Sequence, residues 1–517
     1  MAQISISRRA AHAILLAIEA GIGHSDDLLR EDPLMAAMSP ADRRLTTMLV
    51  LGVLRWQIRL DEQIRRFLSK PSAKLDPAVL VTLRLGAFQL LHLDRIPVHA
   101  ALDESVELAK RSRYRSASGL VNAVLRKVAN AAQEQDRTRE SSRDTGLVTG
   151  HNLSRAEETQ RSTMALAPEG DRKSDSRLSA GLVTGHDFSR AANAQQSMRA
   201  LAPDKNSSQA AAAHPAWMVD RWTKFFGAGA ACAICVHDQV QPATAIRLSA
   251  PEVEQELVAA GITLSPGQLL TAARIVESGD ITATPAFRDG RVRLQDEGSQ
   301  LVAELAAWHD DSEPGRILDC CAAPGGKTRI LAERNPEAHI VACEASRPRL
   351  KQLRDRLSVL GKRVECRLAD ATALALDSEF DLALADVPCS GTGTLSRNPE
   401  IRHRLHPDDL PRQAERQRAI LASALRAVRP GGRVVYSTCS LELEENEEVI
   451  AAVLAQNSNA RALPLGTALE ALRDRNILAA AGAEGLQTLL TPQGFLRLIP
   501  GVFQTDGFFI AIIERIR

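Results

Sequence analysis

"GRILDCCAAPGGKTRILAERNPEAHIVACE", residues 315–344, decides the fold of the C-terminal half of the chain. "GRILD" is a short apolar run that enters a glycine-rich turn at Gly325 and Gly326, "KTRILAERN" has helical spacing, and "HIVACE" is a second apolar run. Strand, turn, helix, strand is the unit that lays two strands parallel, because their connection must cross one face of the sheet. The pattern continues through a helix "SRPRLKQLRDRLSVLG", strands "RVECRLAD" and "FDLALADVP", and a long helix "LPRQAERQRAILASALRAVRPGG" ending at Gly431–Gly432. Then come a strand "RVVYSTCS", a helix "LEENEEVIAAVLAQN" and a final strand "GFFIAIIERI". This alternation predicts a parallel, doubly wound α/β sheet over residues 291–517. Ligands of such sheets sit beyond the carboxyl ends of the strands.

The turn "ILDCCAAPGGKT" (317–328) ends a strand and opens a helix. Its glycines let the backbone approach a ligand closely, and a helix amino end favours electron-rich groups. It is neither G-x-G-x-x-G nor G-x-x-x-x-G-K-[ST], so a nucleotide phosphate is not the first choice. The next strand ends at Glu344, where an acid accepts both ribose hydroxyls of an adenosyl group. The third leads to Asp370, placed for the adenine edge, and the fourth to Asp386. Each acid alone equally reads as a helix cap or turn former. Together, in this order, they resemble the S-adenosylmethionine-dependent methyltransferase fold. That resemblance implies S-adenosyl-L-methionine held at Cys321, Ala322, Ala323, Pro324, Gly325, Gly326 and Lys327, with Glu344, Asp370 and Asp386 around it.

Residues 1–130 read as all-helical, and their 19 Lys+Arg against 13 Asp+Glu point to a polyanion, or else to a solvated helical surface. "DPAVLVTLRLGAFQLLHLD" starts with an Asp-Pro cap and runs to a break at Pro97. "IPVHAALDESVELAK" and "VNAVLRKV" resemble the NusB-like RNA-binding helical domain. Residues 131–212 are polar, and "GLVTGHNLSRAEETQRSTMALAP" (146–168) matches "GLVTGHDFSRAANAQQSMRALAP" (181–203) at 15 of 23 positions. Two copies without large apolar positions cannot stack, so a disordered, duplicated insertion is expected, with His151 and His186 solvated. Residues 213–290 read as a small α+β unit. Its C-x-x-C at Cys232 and Cys235 lacks the second pair that zinc would want and reads as two helix cysteines.

"ADVPCSGTG" (385–393) and "YSTCSLELEENEE" (436–448) each place one cysteine in a polar turn, 50 residues apart. Free cysteines are most often buried and inert; serine, proline and glycine neighbours favour reactive ones here. With "DCCAAPGGKT", these motifs resemble the RNA cytosine-C5 methyltransferase (NOL1/NOP2/Sun) family over residues 213–517, and the helical N-terminus points within it to the bacterial 16S rRNA Sun/Fmu type. Cys320, Glu344 where Asp is also common, and the insertion are departures that spare the catalytic motifs. The resemblance implies that Cys439 attacks C6 of the cytosine, that Cys389 serves release, and that Asp386 holds the base. Covalent attack is needed because C5 of cytosine is a poor nucleophile until C6 carries a thiolate. Lys327 is close enough in its motif to favour a thiolate. Arg397, Arg402 and Arg404, just after the first cysteine turn, read either as RNA contacts or as a solvated face.

Adenine-N6 and glutamine-N5 enzymes carry N/D-P-P-Y where this chain has D-V-P-C, and DNA cytosine-C5 enzymes share the thiol chemistry but usually attack from the P-C motif, whereas T-C-S is also present here and favours RNA. A non-catalytic RNA-binding assembly factor, or C5-methylation of another RNA such as tRNA, remain as alternatives. Apolar residues at 44% and charged residues at 25%, with no apolar run near membrane-spanning length, describe soluble globular material with no transmembrane helix. The N-terminal stretch reads as a cytosolic helix rather than a signal peptide, and scattered cysteines fit a reducing compartment. A cytoplasmic monomer without metal, acting on 16S rRNA or a small-subunit assembly intermediate, is the expectation.

Overall fold

A computed structural model describes residues 4–111, 115–148, 205–309 and 314–516. They fall into two units, one N-terminal and helical, the other formed chiefly by the chain from Lys205 onward.

The helical unit is built on helices Ile6–Glu19, Pro40–Phe67, Pro77–His92, Val98–Arg111 and Ser118–Val148. Their starts are local chemistry. Ser39 accepts from the Asp42 N–H ahead of Pro40, and Asp76 accepts from the Ala78 N–H ahead of Pro77, so each cap satisfies an orphan donor where proline needs none. The Pro77–His92 helix is central, with Val81, Leu83, Leu85 and Ala87 buried. A side chain at Gly52 would overlap the Phe88 ring, so glycine there lets two helices approach. Arg84 is buried on this helix and is compensated by Asp61 and Glu19.

The expected insertion over 131–212 falls mostly on residues 149–204, which lie outside the described residues together with His151, His186 and nearly all of both repeat copies. At its margins the chain is helical: Ser118–Val148 runs well past residue 130, and Lys205–Ala211 is a further helix. Between Leu120 and Thr145 there is no glycine or proline to stop a helix, and Ala, Gln, Glu and Arg favour one.

The second unit holds two sheets. The smaller is antiparallel, β2–β3–β1–β4, from β1 Thr244–Leu248, β2 Thr263–Pro266, β3 Ala273–Ser278 and β4 Val292–Leu294. Since β4 pairs with β1, a division at residue 290 cuts this sheet. The larger has the order β10–β12–β9–β8–β5–β6–β7, with β11 paired to β12. Its parallel part is β5 Arg316–Asp319, β6 His339–Glu344, β7 Val364–Leu368, β8 Phe380–Asp386 and β9 Val428–Thr438. β8 reads as a near-continuous apolar run because both faces are covered.

The sheet is mixed rather than purely parallel. β12 Phe508–Arg515 runs antiparallel to β9, and β10 Ala460–Leu463 and β11 Leu496–Leu498 run antiparallel to β12. The helix expected to end at Gly431–Gly432 is Asp409–Ala427, and "RPGG" belongs to β9, where the β8 register shifts. Pro430 lacks the N–H a helix would use, and Gly431 takes a φ of 79°. Among the described residues no helix is long and apolar enough to cross a membrane.

Candidate active site

The order of the large sheet reverses between β5, which leads to β6, and β8, which leads to β9, and the crevice beyond these strands' carboxyl ends is where the sequence motifs meet. β5 ends at Asp319 and the turn 320–325 follows. The Ala322 N–H donates to Cys343 O at 2.9 Å, tying the turn to β6. Gly325, at φ 102°, starts the Gly326–Arg334 helix with no side-chain cap. Cys321 is half-buried with its thiol pushed up, first by burial and then by Asp319, while Ala322 is buried. Ala323 O accepts from Arg349, and Pro324 completes the turn ahead of Gly325.

Glu344, buried at the tip of β6, accepts from the Ser346 N–H at 2.8 Å and stands 3.4 Å from Arg349. Asp370 is exposed beyond β7. Its Oδ1 accepts from the Thr372 N–H at 2.9 Å and hydroxyl at 2.8 Å, which holds the carboxyl below its ordinary range. It therefore caps the short turn Ala371–Ala373, the plain role any such acid can take.

The two cysteine turns meet because β8 and β9 are parallel neighbours. Asp386 pairs with Ser437 in register, and the Val387 N–H donates to Ser437 O at 3.0 Å. Cys389 follows three residues after Asp386 and Cys439 two after Ser437, so both leave the sheet at the same edge. Their sulfurs are 3.3 Å apart, and both residues are half-buried. The Cys389 thiol is raised well above its ordinary value by its hydrogen bond to Cys439, by burial, and by its electrostatic coupling to Cys439 and Glu445.

Asp386 stands between the cofactor turn and the thiols. Lys327 Nζ donates to its Oδ2 at 2.7 Å and Ser437 Oγ to its Oδ1 at 2.6 Å. Burial works against the Lys327 charge, but attraction to Asp386, with smaller contributions from Cys439 and Asp319, raises its pKa and keeps it protonated.

Three polar residues escaped the sequence reading. Asp319 is 1% exposed, accepts from Thr328 Oγ1 at 2.7 Å, and is pushed up to about 7 chiefly by burial. An acid at a strand tip is the same signal that singled out Glu344, and it was present in "RILD". Ser437 is signalled only as the residue in register with Asp386. Glu445 sits in "LEENEE" among three other acids, and nothing local separates it from them. Two arginines differ from both expected roles. Arg397 is paired with Asp296 at 3.0 Å and Asp506 at 2.9 Å. Arg402 is 2% exposed and donates to the carbonyls of Ala213, Asp238 and Leu395. Arg404 is exposed. Cys235 is buried between helices, with its thiol pushed up to about 12 by burial, and Cys232 is half-buried beside it.

Residues 306–514 match the family described as 16S rRNA methyltransferase RsmB/F, and residues 5–130 match the NusB family. Ribosomal RNA small subunit methyltransferase B of Pseudomonas putida is 30% identical over 454 residues, covering 85% of this chain and 88% of the relative. The probable ribosomal RNA small subunit methyltransferase B of Bacillus subtilis is 28% identical over 513 residues, 97% of each chain. The crystal structure of PH0851 shares the fold across 99% of both chains, with a TM-score of 0.68 at 21% identity.

Proposed function

The chain belongs to the 16S rRNA methyltransferase RsmB/F family and is an S-adenosylmethionine-dependent RNA methyltransferase, and from that premise we propose that it methylates C5 of a specific cytosine in small-subunit rRNA through a Cys439–C6 bond. The observation that carries this reading is the pair of sulfurs 3.3 Å apart at the carboxyl ends of β8 and β9.

S-adenosyl-L-methionine supplies an electrophilic sulfonium methyl group. The residues fit it by their hydrogen-bonding chemistry: an uncapped helix start at Gly325–Gly326 that donates, a buried acid at Glu344 to accept from ribose hydroxyls, and Asp370 to accept from the adenine edge. The turn 321–327 would take the methionine portion.

Cys439, as thiolate, adds to C6, and the C5–C6 electron pair becomes available at C5 to accept the methyl. A protonated Lys327 near Cys439 stabilises negative charge on that sulfur, while Asp386, fixed between Lys327 and Ser437, holds the cytosine edge. Attack by Cys439 also changes Cys389. Once Cys439 is bonded to carbon, its hydrogen bond and its charge no longer hold the Cys389 proton; only burial and Glu445 remain among the causes that raise that thiol. Cys389 then releases its proton to solvent and takes the one on C5. The C5–H pair re-forms the C5–C6 double bond, and the C6–S pair returns to Cys439. In this reading the base becomes competent after the nucleophile has acted.

A target base reaches such a site only out of its stack. The basic helical segment and the small α+β region would hold the surrounding RNA through phosphates and shape. Bisulfite mapping of small-subunit rRNA from cells with and without the protein tests the reading, alongside incubation with 5-azacytidine-containing rRNA. One protein-dependent 5-methylcytosine and a covalent adduct are expected. Neither appearing would return the chain to methylation at another atom.

A further inference from the structure

Glu445 is fully buried in the short turn Leu443–Glu445 that follows the second cysteine motif. Its Oε1 accepts from the Ser390 N–H at 2.8 Å and from Gln417 Nε2 at 2.9 Å. Its Oε2 accepts from the hydroxyls of Ser440 and Ser390, which are themselves 3.0 Å apart. Its own carbonyl accepts from Tyr436 OH at 2.6 Å. Ser390 directly follows Cys389, and Ser440 directly follows Cys439. The neighbouring Asn446 adds to the grip, accepting from Thr438 Oγ1 at 2.6 Å and donating to Ser440 O at 2.9 Å.

Among the described residues no Lys, Arg or His forms an ion pair with Glu445. Burying a carboxylate on neutral donors alone is costly, and a glutamine of the same shape would engage two serines without that cost. The bridge alone therefore does not require the charge. We propose that Glu445 is the positioning residue of the two-thiol site: one buried carboxylate that ties the turns of Cys389 and Cys439 at a fixed spacing, so that Cys389 stays where it takes up the C5 proton. This rests on the two-cysteine reading above.

The groups that face Cys389 are Cys439 and Tyr436 from β9 and its following turn, and Glu445; the Asp409–Ala427 helix presents the uncharged Gln417. The Glu445 charge contributes to the raised Cys389 thiol, after the Cys439 hydrogen bond and burial. Bridge and charge are separable. Glu445→Gln removes the charge at constant size, whereas Glu445→Asp keeps the charge and shortens the reach.

The test uses the full chain and three readouts: cofactor affinity by calorimetry, iodoacetamide labelling of Cys389 against pH read by peptide mass spectrometry without RNA, and the lifetime of the covalent RNA adduct in a single turnover. Glu445→Gln, which keeps the bridge, should keep cofactor affinity and the wild-type adduct lifetime while lowering the Cys389 labelling midpoint, so that labelling below it is about tenfold faster. Glu445→Asp, which no longer reaches both turns, should prolong the adduct about tenfold while leaving the midpoint at the wild-type value. An unchanged adduct lifetime in Glu445→Asp, or an adduct prolonged equally in Glu445→Gln, overturns the positioning role, as does loss of cooperative unfolding and cofactor affinity in both variants. If the wild type forms no adduct with rRNA, the cytosine-C5 reading fails instead, and the labelling midpoint alone decides whether Glu445 governs Cys389.

Discussion

The second unit contains two buried polar clusters, each with cysteines, acids and a basic group, and they do different things. One lies beside the Ala228–Gln239 helix. His214 meets Ala210 O at 2.8 Å and Asp238 at 3.3 Å, while Arg402 spans three carbonyls and Cys235 is sealed at 0% exposure. Burial, then the Arg402 charge, lowers the His214 pKa, so the ring stays neutral. That cluster is closed: its charges answer one another and its thiol is held protonated. The other lies at the ends of β5, β8 and β9. Its thiols are half-buried and its Lys327–Asp386 pair reaches toward them. A buried titratable cluster is thus not a site in itself; the difference is that the thiols at the strand ends are half-buried whereas Cys235 is sealed.

The largest effect expected from breaking this contrast is loss of chemistry. Cys439→Ser should abolish both methyl transfer and any covalent RNA adduct, whereas Cys389→Ser should transfer methyl and remain bonded to RNA as a slow band on a denaturing gel. The reverse pattern would make Cys389 the nucleophile.

The next concerns strain in the open cluster. Asp319 is raised from an ordinary carboxylate value to about 7 by burial, so the native state favours its protonated form. The stability it supports is complete below about pH 4 and is lost as pH rises to about 7. Asp319→Asn should escape this loss. Its stability relative to wild type should therefore improve by up to roughly 4 kcal/mol between pH 4 and pH 8 in urea unfolding. Asp506 shifts in the same direction, so only the difference between variant and wild type isolates Asp319. Parallel pH profiles would mean that the β5 tip is no more strained than the closed cluster.

A smaller effect belongs to cofactor binding. Glu344→Ala should weaken S-adenosylmethionine affinity by about 1.5–3 kcal/mol, the worth of hydrogen bonds to a charged acceptor. Unchanged calorimetric affinity would remove Glu344 from the site and leave it as the partner of Ser346 and Arg349. The smallest sharpens the closed side: Cys235→Ser should cost about 1 kcal/mol of stability while leaving kcat/KM unchanged. A loss of activity in folded protein would show that the helix cluster is coupled to the chemistry.

Local pattern carried far in this chain. The βαβ unit at 315–344, the Asp-Pro start at Asp76 and the acids at strand tips were all legible, because helix and strand periods and caps depend on residues a few positions apart. Motif resemblance, not spacing, assigned roles to Cys389 and Cys439. Tertiary structure decided what lies between distant segments. The 3.3 Å between the thiols follows from β8 and β9 becoming neighbours in register, the antiparallel return of β12 from packing against β9, and the burial of Arg402 from helices that close over it. The bridging role of Glu445 belongs to the same class. Five acids in "LEENEE" and its flanks look alike in one dimension, and only the fold turns one of them inward between two serines 50 residues apart.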